Sequence, residues 1–390
     1  MLQLFKETRI PFLKYKYLAF AISWGLIAAG LVNIFFFGGL KLGVDFSGGT
    51  LIRVKFREPV SIGEVRSRLT EIKMGESKIQ EVGTEEREYI VRTTQSKAKT
   101  KEQQASEVEA TEMMANRVID TLGTAEDRAS AQAGLQDINT LDDKTLAFIL
   151  EPVLLDQKMS AQAGRQVMDL RVERGVIRDW EELRALGLGK DTLTRLQERC
   201  YLASLTVLSK ETVGPIAGDY LWKRARLAII YALLGMLVYL AVRFKLAYGV
   251  SGLLTLLHDV LLTLSIFSFT SREINLPVIA AFLTLVGYSI NDTIVIFDRI
   301  RDNLKLLRKT DFEELMNLSI NQTLSRTVIT GGTTLLSLVV LVLFGGQVIN
   351  DFAFVMLIGI IIGTYSSIFQ SCPFLFFWWK IFKPKKGMRK

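Results

Sequence analysis

Six apolar runs are the feature that most restricts how this chain can fold. A hydrocarbon core about 30 Å thick requires roughly 20 apolar residues in a crossing helix, and only helices and closed barrels satisfy their backbone hydrogen bonds in lipid. The runs cover residues 17–40, 227–242, 246–271, 276–297, 327–350 and 352–379. The pattern predicts an α-helical polytopic membrane protein with one helix before a long polar stretch and five helices after it.

The polar stretch between the first two runs is expected to form an aqueous domain. Hydrophobic residues make up 49% of the chain, yet 23% of its residues are charged, which indicates apolar spans combined with a sizeable aqueous part. We divide the sequence into an N-terminal segment 1–16, a first transmembrane helix 17–40, an external domain 41–226, a five-helix bundle 227–379 and a basic tail 380–390.

The distribution of lysine and arginine predicts the orientation. These residues cluster in the N-terminal segment, at Arg243 and Lys245, between residues 299 and 326, and in the tail. By the positive-inside rule these segments are cytoplasmic, so both termini lie inside and the long domain lies outside. The first run exceeds a usual signal-peptide core and lacks a cleavage site, so we interpret it as a retained helix. The net charge of +8 then requires no nucleic acid.

The external domain is predicted to be α+β and ferredoxin-like. Residues 43–50 suit a tight turn that leads into a strand at 51–56. Further strands are expected at 78–82, 89–93 and 203–213, a helix at 102–122, and a helix capped by Ser61 with Glu64 three residues later. The order strand, helix, strand, strand, helix, strand is that of a split β-α-β unit, provided that residues 124–199 are an insertion.

The insertion resembles a helix-hairpin-helix module. Gly187 and Gly189 form a Gly-x-Gly turn between two segments of helical periodicity, and Lys190 follows. Such hairpins present backbone amides to nucleic-acid phosphates in many proteins. Four acidic residues beside the hairpin would oppose phosphate binding, so we favour a structural helical spacer: Glu181, Glu182, Asp191 and Glu198.

One carboxylate in the bundle marks a candidate site. Asp292 is the only charged residue between 276 and 297, and a charge at the bilayer centre costs about 2.5–3.5 kcal/mol on insertion scales. Arg326 is the only charge between 315 and 350, and we expect it at a similar depth. The two residues are either a permanent structural ion pair, which would be weak evidence for function, or a functional pair, and we favour the second interpretation.

Polar residues also recur at helical spacing around Asp292. Thr284, Tyr288, Asn291 and Asp292 are spaced so that they share one face, which we expect to point into the bundle. In the preceding apolar run, His258 and Asp259 are adjacent. A histidine beside a carboxylate either relays protons or joins two helices by hydrogen bonds, and both interpretations stay open.

Small residues in the last run predict close helix packing, within the chain or against a partner: Gly359, Gly363 and Ser367. The two cysteines, Cys200 in the external domain and Cys372 in the last run, are too far apart in the topology to pair. No phosphate-binding loop, metal-ligand cluster or nucleophile–base pair is found in the sequence. We therefore expect no cofactor and no enzymatic activity from this chain.

Several motifs, in order, resemble the SecF family of bacterial protein-export membrane proteins, which belongs to the resistance-nodulation-division superfamily. They are Gly43-Val44-Asp45-Phe46-Ser47-Gly48-Gly49-Thr50, Val213-Gly214-Pro215, His258-Asp259-Val260, Gly287-Tyr288-Ser289-Ile290-Asn291-Asp292-Thr293 and Asp298-Arg299-Ile300-Arg301-Asp302-Asn303. The resemblance covers the first helix, the borders of the external domain and the five later helices. The insertion departs from the family pattern.

This resemblance implies a six-helix half of a pseudo-symmetric bundle in the bacterial cytoplasmic membrane. The other half would be SecD, and the further partners would be the SecYEG channel, the preprotein, membrane lipids and, as an optional component, YajC. It implies that Asp292 and Arg326 lie on a proton pathway together with Asn291 and Thr293, and that His258 and Asp259 are further candidates. Protonation of Asp292 would then break its ion pair with Arg326 and move the external domain.

Two other functions remain open at this stage. A proton-driven exporter of lipids or small molecules could use the same half-bundle, and a large apolar cavity in the external domain would favour it. A membrane-anchored protein that captures DNA through its helical hairpin is the second alternative, and salt-dependent duplex binding that requires Lys190 would favour it.

Overall fold

A computed structural model describes residues 8–83, 85–93, 104–154, 157–270, 272–307 and 309–382. The chain divides into two compact units. The membrane unit comprises Met1–Gly43 and Trp222–Lys390, and the α+β unit comprises Val44–Leu221.

The secondary-structure elements follow one another in three groups. After a 3-10 turn at Phe12–Tyr15, the first group is α1 (Lys16–Phe36), β1 (Lys41–Leu42), α2 (Val44–Ser47), β2 (Gly49–Phe56), α3 (Ile62–Glu71), β3 (Lys78–Glu81), β4 (Glu88–Thr93) and α4 (Gln104–Leu122). The second is α5 (Ala125–Gln132), β5 (Gln136–Asp137), α6 (Asp143–Leu154), α7 (Gln157–Arg174), α8 (Trp180–Ala185), α9 (Lys190–Gln197), β6 (Cys200–Tyr201) and β7 (Leu205–Val213). The third is α10 (Pro215–Arg243), α11 (Leu246–Ser268), β8 (Glu273–Ile274), α12 (Leu276–Leu306), α13 (Phe312–Phe344), α14 (Gln347–Phe369) and α15 (Ser371–Phe382).

The described part of the chain contains six spans that are long and apolar enough to cross a membrane, which confirms the predicted polytopic helical protein. They are Phe12–Phe36, Ala217–Arg243, Leu246–Ser268, Leu276–Leu306, Phe312–Phe344 and Ile349–Phe382. One span precedes the α+β unit and five follow it, in the order that the apolar runs predict.

Several helix boundaries differ from the apolar runs, three of them with a clear physical reason. Helix α10 begins at Pro215 instead of residue 227, and α13 begins at Phe312 instead of residue 327. Hydropathy detects the part of a helix that suits lipid, whereas the helical hydrogen bonds continue through polar sequence. The last run is divided, because α14 ends at Phe369 and α15 begins at Ser371. Pro373 has no N–H to bond the carbonyl of Phe369, which accounts for a break at this point.

Small residues let the membrane helices approach closely, as the sequence predicts. A Cβ added to Gly30 in α1 would lie 2.1 Å from the Cβ of Ser265 in α11. One added to Gly359 in α14 would lie 2.6 Å from Leu285 in α12, and one added to Gly363 would lie 3.1 Å from the hydroxyl of Ser289. The small face of α14 therefore packs within this chain.

At one end of the membrane unit, the segment after α1 pairs with the loop before α12. Strands β1 and β8 are parallel, with Lys41 opposite Glu273. The N–H of Gly43 donates to the carbonyl of Ile274 at 2.8 Å, and a Cβ on Gly43 would lie 3.1 Å from that oxygen. Glycine at position 43 therefore permits this close backbone contact.

At the opposite end, the N-terminal segment is fastened along α13. The N–H of Leu13 donates to Asn317 Oδ1 at 3.0 Å, and Lys16 Nζ lies 3.0 Å from Glu313 Oε1. At the same end, Arg243 of α10 pairs with Asp298 of α12 at 2.7 Å. These contacts tie the first and second spans to the later helices.

The α+β unit is built on an antiparallel sheet with the strand order β3-β4-β2-β7. In the central strand β2, Ile52 lies opposite Val91 on one side and Lys210 on the other. Alternate residues Ile52, Val54 and Phe56 are buried in one core with α3 and α4. From β2 to β7 the main elements follow in the order strand, helix, strand, strand, helix, strand, and the last strand comes after residues 124–199.

The insertion has a hydrophobic core of its own, in the space enclosed by α6, α7, α8 and α9. Its buried residues are Ile138, Leu146, Ile149, Leu150, Ala163, Val167, Ile177, Leu183, Leu188, Leu193, Leu196, Cys200 and Leu202. Strands β5 and β6 pair in parallel and bring the two ends of the insertion together. Between α8 and α9, Gly187 takes φ +89° and Gly189 is the N-cap of α9, so a Gly-x-Gly helical hairpin is present.

Two carboxylates fasten the insertion to the strand that follows it. Asp127 accepts hydrogen bonds from the N–H groups of Thr124 at 2.7 Å and Ser204 at 2.9 Å, and Asp137 accepts from the N–H of Ala203 at 3.2 Å. Burial opposes ionisation of Asp127, but hydrogen bonds from Ser204 and Thr124 hold its pKa below the usual value. Burial raises the pKa of Asp137.

Gly30→Ala should destabilise the membrane unit, because the new methyl group would meet the backbone and Cβ of Ser265. Overpacking of this kind costs about 1–3 kcal/mol. Gly25→Ala in the same helix is the matched control, since nothing lies within 4 Å of its added Cβ. We expect a lower melting temperature of the purified full chain for Gly30→Ala alone. Equal melting temperatures in the two variants would contradict the close approach of α1 and α11.

Asp127→Ala should loosen the junction between the insertion and β7. The folded pKa lies below the unfolded value of about 3.9, so ionised Asp127 stabilises the unit above that pH, and its contribution is lost as the pH falls through the folded pKa. We expect a loss of about 1–3 kcal/mol at pH 7, because two N–H groups lose their acceptor. Hydrogen exchange at Thr124 and Ser204 in the full chain measures it. Asp120→Ala, which removes an exposed carboxylate of α4, should leave this exchange unchanged.

Candidate functional site

Asp292 is buried in the membrane unit, with 5% of its surface exposed. Among the described residues, its carboxylate has neither a hydrogen bond nor a direct ion pair, and Arg326 of α13 is the charge that interacts with it electrostatically. The expected ion pair is therefore not a direct contact in this structure. The two residues lie on helices α12 and α13, which pack against each other, and their charges interact across a gap.

The predicted inward-facing polar face is wrong for part of α12. Asp292 and Thr293 are buried, but Asn291 and Thr284 are exposed on the surface of this chain. Neighbouring residues of a helix point about 100° apart, so Asn291 cannot share the direction of Asp292. Arg326 is also exposed at the surface of this chain.

Tyr288 joins α12 to α13 one turn before Asp292. Its hydroxyl lies 2.9 Å from Thr334 Oγ1 and donates to the carbonyl of Thr330 at 3.2 Å. Gly287, next to it in the motif, faces open space, because nothing lies within 4 Å of an added Cβ. Tyr288 thus fastens the helix of Asp292 to the helix of Arg326.

His258 and Asp259 form a completely buried pair in α11. His258 Nδ1 lies 3.0 Å from Asp259 Oδ1, and the His258 ring is 6.0 Å from the ring of Trp24 in α1. Within the described residues, His258 Nε2 has no hydrogen-bond partner. Asp259 therefore joins two helices by a hydrogen bond, which is one of the two interpretations that the sequence leaves open. Of the two ring nitrogens of His258, only Nδ1 has a hydrogen-bond partner among the described residues.

Ser289 and Ser366 are the partners of Asp259 that the sequence did not predict. The Ser289 hydroxyl of α12 donates to Asp259 Oδ2, and the Ser366 hydroxyl of α14 lies near the carboxylate and donates to the carbonyl of Gly363 in its own helix at 3.2 Å. Ser289 lies against Gly363 of α14. The sequence does show Ser289 as a polar residue about one turn before Asp292, but it does not show which neighbouring helix the Ser289 side chain faces.

The glycine motif begins the α+β unit. Residues Val44–Ser47 form one helical turn, and Gly48 and Gly49 follow at φ +70° and +128°, which favours glycine. Phe46 is 3% exposed, Ser47 donates to its neighbouring carbonyl at 3.3 Å, and a Cβ on Gly218 would lie 3.0 Å from the Phe46 carbonyl. The motif is thus a packed turn.

Asp45 of this motif lies near the end of β7. Burial and, after it, the charge of Asp45 raise the pKa of Glu211 in β7, while Arg92 of β4 opposes the shift. The motif therefore brings one carboxylate close to another. Within the part of the chain that the structure describes, no group of three or more histidine, cysteine or acidic residues could hold a metal ion.

The fold and the buried site define a class of protein: a multi-pass membrane protein with acidic and histidine side chains buried among its spans and an α+β unit inserted after the first span. Residues 195–380 match the family described as the C-terminal part of the protein-export membrane proteins SecD/SecF, and residues 34–60 match the SecD/SecF GG motif. The protein translocase subunit SecF of Koribacter versatilis is 37% identical over 387 residues, covering 96% of this chain and 93% of that protein. The chain belongs to the SecF family of protein translocase subunits.

A fused relative and a solved structure extend the comparison. The protein translocase subunit SecDF of Thermus thermophilus is 48% identical over 183 residues, covering 46% of this chain and 25% of that protein. The crystal structure of SecDF, a translocon-associated membrane protein from Thermus thermophilus, matches with a TM-score of 0.64 and 29% identity. That match covers 96% of this chain and 39% of the SecDF chain. This chain therefore corresponds to one part of a longer SecDF protein.

Proposed function

We propose that this chain is an accessory subunit of the Sec translocase that uses the proton motive force, together with SecD, to promote preprotein translocation. Its membership of the SecF family supports the translocase role. The observation that carries the coupling to protons is the buried carboxylate of Asp292, which has no direct partner among the described residues, since an intramembrane carboxylate is by default a candidate for a proton or ion path.

In the proposed cycle, Asp292 takes up a proton from one side of the membrane and releases it to the other. While ionised, Asp292 attracts Arg326 across the gap between α12 and α13; once protonated, it does not. The two helices then shift relative to each other, and the shift moves the external domain. Asn291 and Thr293 flank Asp292 in the sequence and belong to the same proposed pathway, and His258 and Asp259 are further candidates for it.

The available energy is sufficient for such a cycle. One charge that crosses a potential of 100 mV releases about 2.3 kcal/mol, which biases a two-state equilibrium about fiftyfold. Tyr288 forms hydrogen bonds to two residues of α13, so a shift of α12 would break these bonds or move α13 with it. Several protons per cycle would support a larger movement.

The proposed orientation places both termini in the cytoplasm and the α+β unit outside, in the inner membrane. The basic residues near Arg243 and Lys245 and in the α12–α13 region support it through the positive-inside rule. SecD is the proposed membrane partner, which the fused SecDF relative supports. SecYEG, the preprotein and, as an optional component, YajC are proposed further partners.

The α+β unit supports export assistance over transport of lipids. This unit has a cleft of about 250 Å³. Four charged side chains line part of it, namely Arg57, Glu58, Glu64 and Arg68, and the other lining residues are Phe56, Pro59, Val60, Thr124 and Ser204. A lipid-binding cavity would require apolar walls. The volume of this cleft lies below the range of about 300–1,000 Å³ that is typical of small-molecule sites, and charged side chains line part of it, so it gives the exporter alternative no support.

Asp292→Asn and Arg326→Lys test the proposal in cells that produce each variant at the wild-type level. We expect the gradient-dependent part of preprotein export to fall in both, by as much as about fiftyfold per proton at 100 mV for Asp292→Asn. Asp302→Asn, an exposed carboxylate of the same helix paired with Lys305 at 3.1 Å, is the matched control and should export normally. Normal gradient-dependent export in Asp292→Asn and Arg326→Lys would rule out the proton role.

A further inference from the structure

Three membrane helices meet at the Ser289 side chain. It is 3% exposed, its hydroxyl donates to Asp259 of α11, and its Cβ lies 3.3 Å from the position of a Cβ on Gly363 of α14. One turn earlier, the same two helices meet where Leu285 lies against Gly359. The contact repeats at a spacing of four residues on both helices, so α12 and α14 run parallel in a fixed register here.

Asp259 and Asp292 have different electrostatic partners. Among the described residues, His258 is the titratable group that interacts with Asp259, while α12 and α14 present the hydroxyls of Ser289 and Ser366 to it. Arg326 is the charge that interacts with Asp292. The two carboxylates are therefore not directly coupled, and the physical connection between them is α12 itself.

We propose that Ser289 is a positioning residue: its bond to Asp259, with the Gly363 notch behind it, locks the register of α12 and so fixes the place of Asp292. Ser289 precedes Asp292 by three residues, less than one helical turn, so a rotation or slide of α12 at Ser289 displaces Asp292 directly. The inference rests on the proposed function, since it assigns how the proton-binding carboxylate is held in place.

The chemistry of the contact suits a lock. The Asp259 carboxylate contacts His258 of its own helix and accepts from Ser289 of α12, and the Ser366 hydroxyl of α14 lies near it. In low-dielectric surroundings a hydroxyl without an acceptor is costly, so the Ser289 bond favours one arrangement of α12 over its neighbours. Gly363 suits this arrangement, because a Cβ at that position would lie only 3.1 Å from Ser289 Oγ and would crowd the contact.

The first experiment measures the protonation of Asp292 in the full chain in membranes. Dicyclohexylcarbodiimide modifies protonated carboxyl groups in apolar surroundings, and mass spectrometry of the Asp292 peptide gives the extent of labelling at each pH. We expect Ser289→Ala and Asp259→Asn to displace the midpoint of labelling in the same direction by about half a pH unit or more, a threefold change in the protonation equilibrium.

The double variant decides whether the two residues act together. If Ser289 acts through Asp259, the double variant should show no larger displacement than either single variant. Ser251→Ala is the matched control, because Ser251 is also buried but its hydroxyl donates to the carbonyl of Ala247 in its own helix at 2.7 Å. Additive displacements, no displacement, or an equal displacement in Ser251→Ala would overturn the proposal.

The second experiment reads the register without any titration. In a chain with Cys200→Ala and Cys372→Ala, the pair Leu285→Cys and Gly359→Cys should form a disulfide rapidly under mild oxidation, since these positions are in contact. Adding Ser289→Ala or Asp259→Asn should slow the reaction several-fold, whereas adding Ser251→Ala should not. An unchanged rate in the first two variants would refute the lock.

The two experiments separate failure of the lock from failure of the proton role. If Asp292 shows no pH-dependent labelling in the wild-type chain, its proposed role in proton coupling fails. The disulfide rate still decides whether Ser289 and Asp259 hold the register of α12. If labelling titrates normally and neither the midpoint nor the disulfide rate responds to Ser289→Ala, the lock fails and the proton role stands.

Discussion

Polar groups within the spans have no water to bond with, and the rest of the structure depends on this constraint. In lipid, each backbone and side-chain polar atom must find a partner in the protein. Hydroxyls in α13 do so within their own helix: Thr330 donates to the carbonyl of Arg326 and Thr333 to that of Ile329. Where a side chain instead bonds to another helix, as Tyr288 and Ser289 do, it fixes how the two helices pack.

The two buried carboxylates satisfy this requirement differently. Asp259 is surrounded by a histidine and two hydroxyls, so its place among α11, α12 and α14 is specified by hydrogen bonds. Among the described residues, Asp292 has only the charge of Arg326 at a distance. A carboxylate that several polar groups contact is held in position, whereas Asp292 has no such contact among the described residues. This contrast supports a positioning role for the first carboxylate and a cycling role for the second.

Sequence reasoning succeeded where a short pattern determines the structure. Apolar runs predicted the six spans, and Ser61 was expected to cap α3, where its hydroxyl accepts from the N–H of Glu64 at 3.3 Å. It failed for properties that need the partner helix to be known. The exposure of Asn291, the gap between Asp292 and Arg326, and the bond from Ser289 to Asp259 depend on helix rotation and on contacts across some 30 positions. Hydropathy and spacing contain no information on either.

The burial of the helices also bears on the proposed pairing with SecD. In α11, in α12 and in the final span, about 56% of the residues in the most apolar 18-residue stretch are buried within this chain. The corresponding share is only 17% in α13 and 11% in α10. Arg326 therefore lies on a helix that this chain leaves largely uncovered, and its side chain is exposed. An arginine that faces lipid from within a span is costly, and Arg326 stands at the start of the apolar run 327–350. A second polar half-bundle over α13 would remove that cost and would enclose Asn291, Asp292 and Arg326 in one interface.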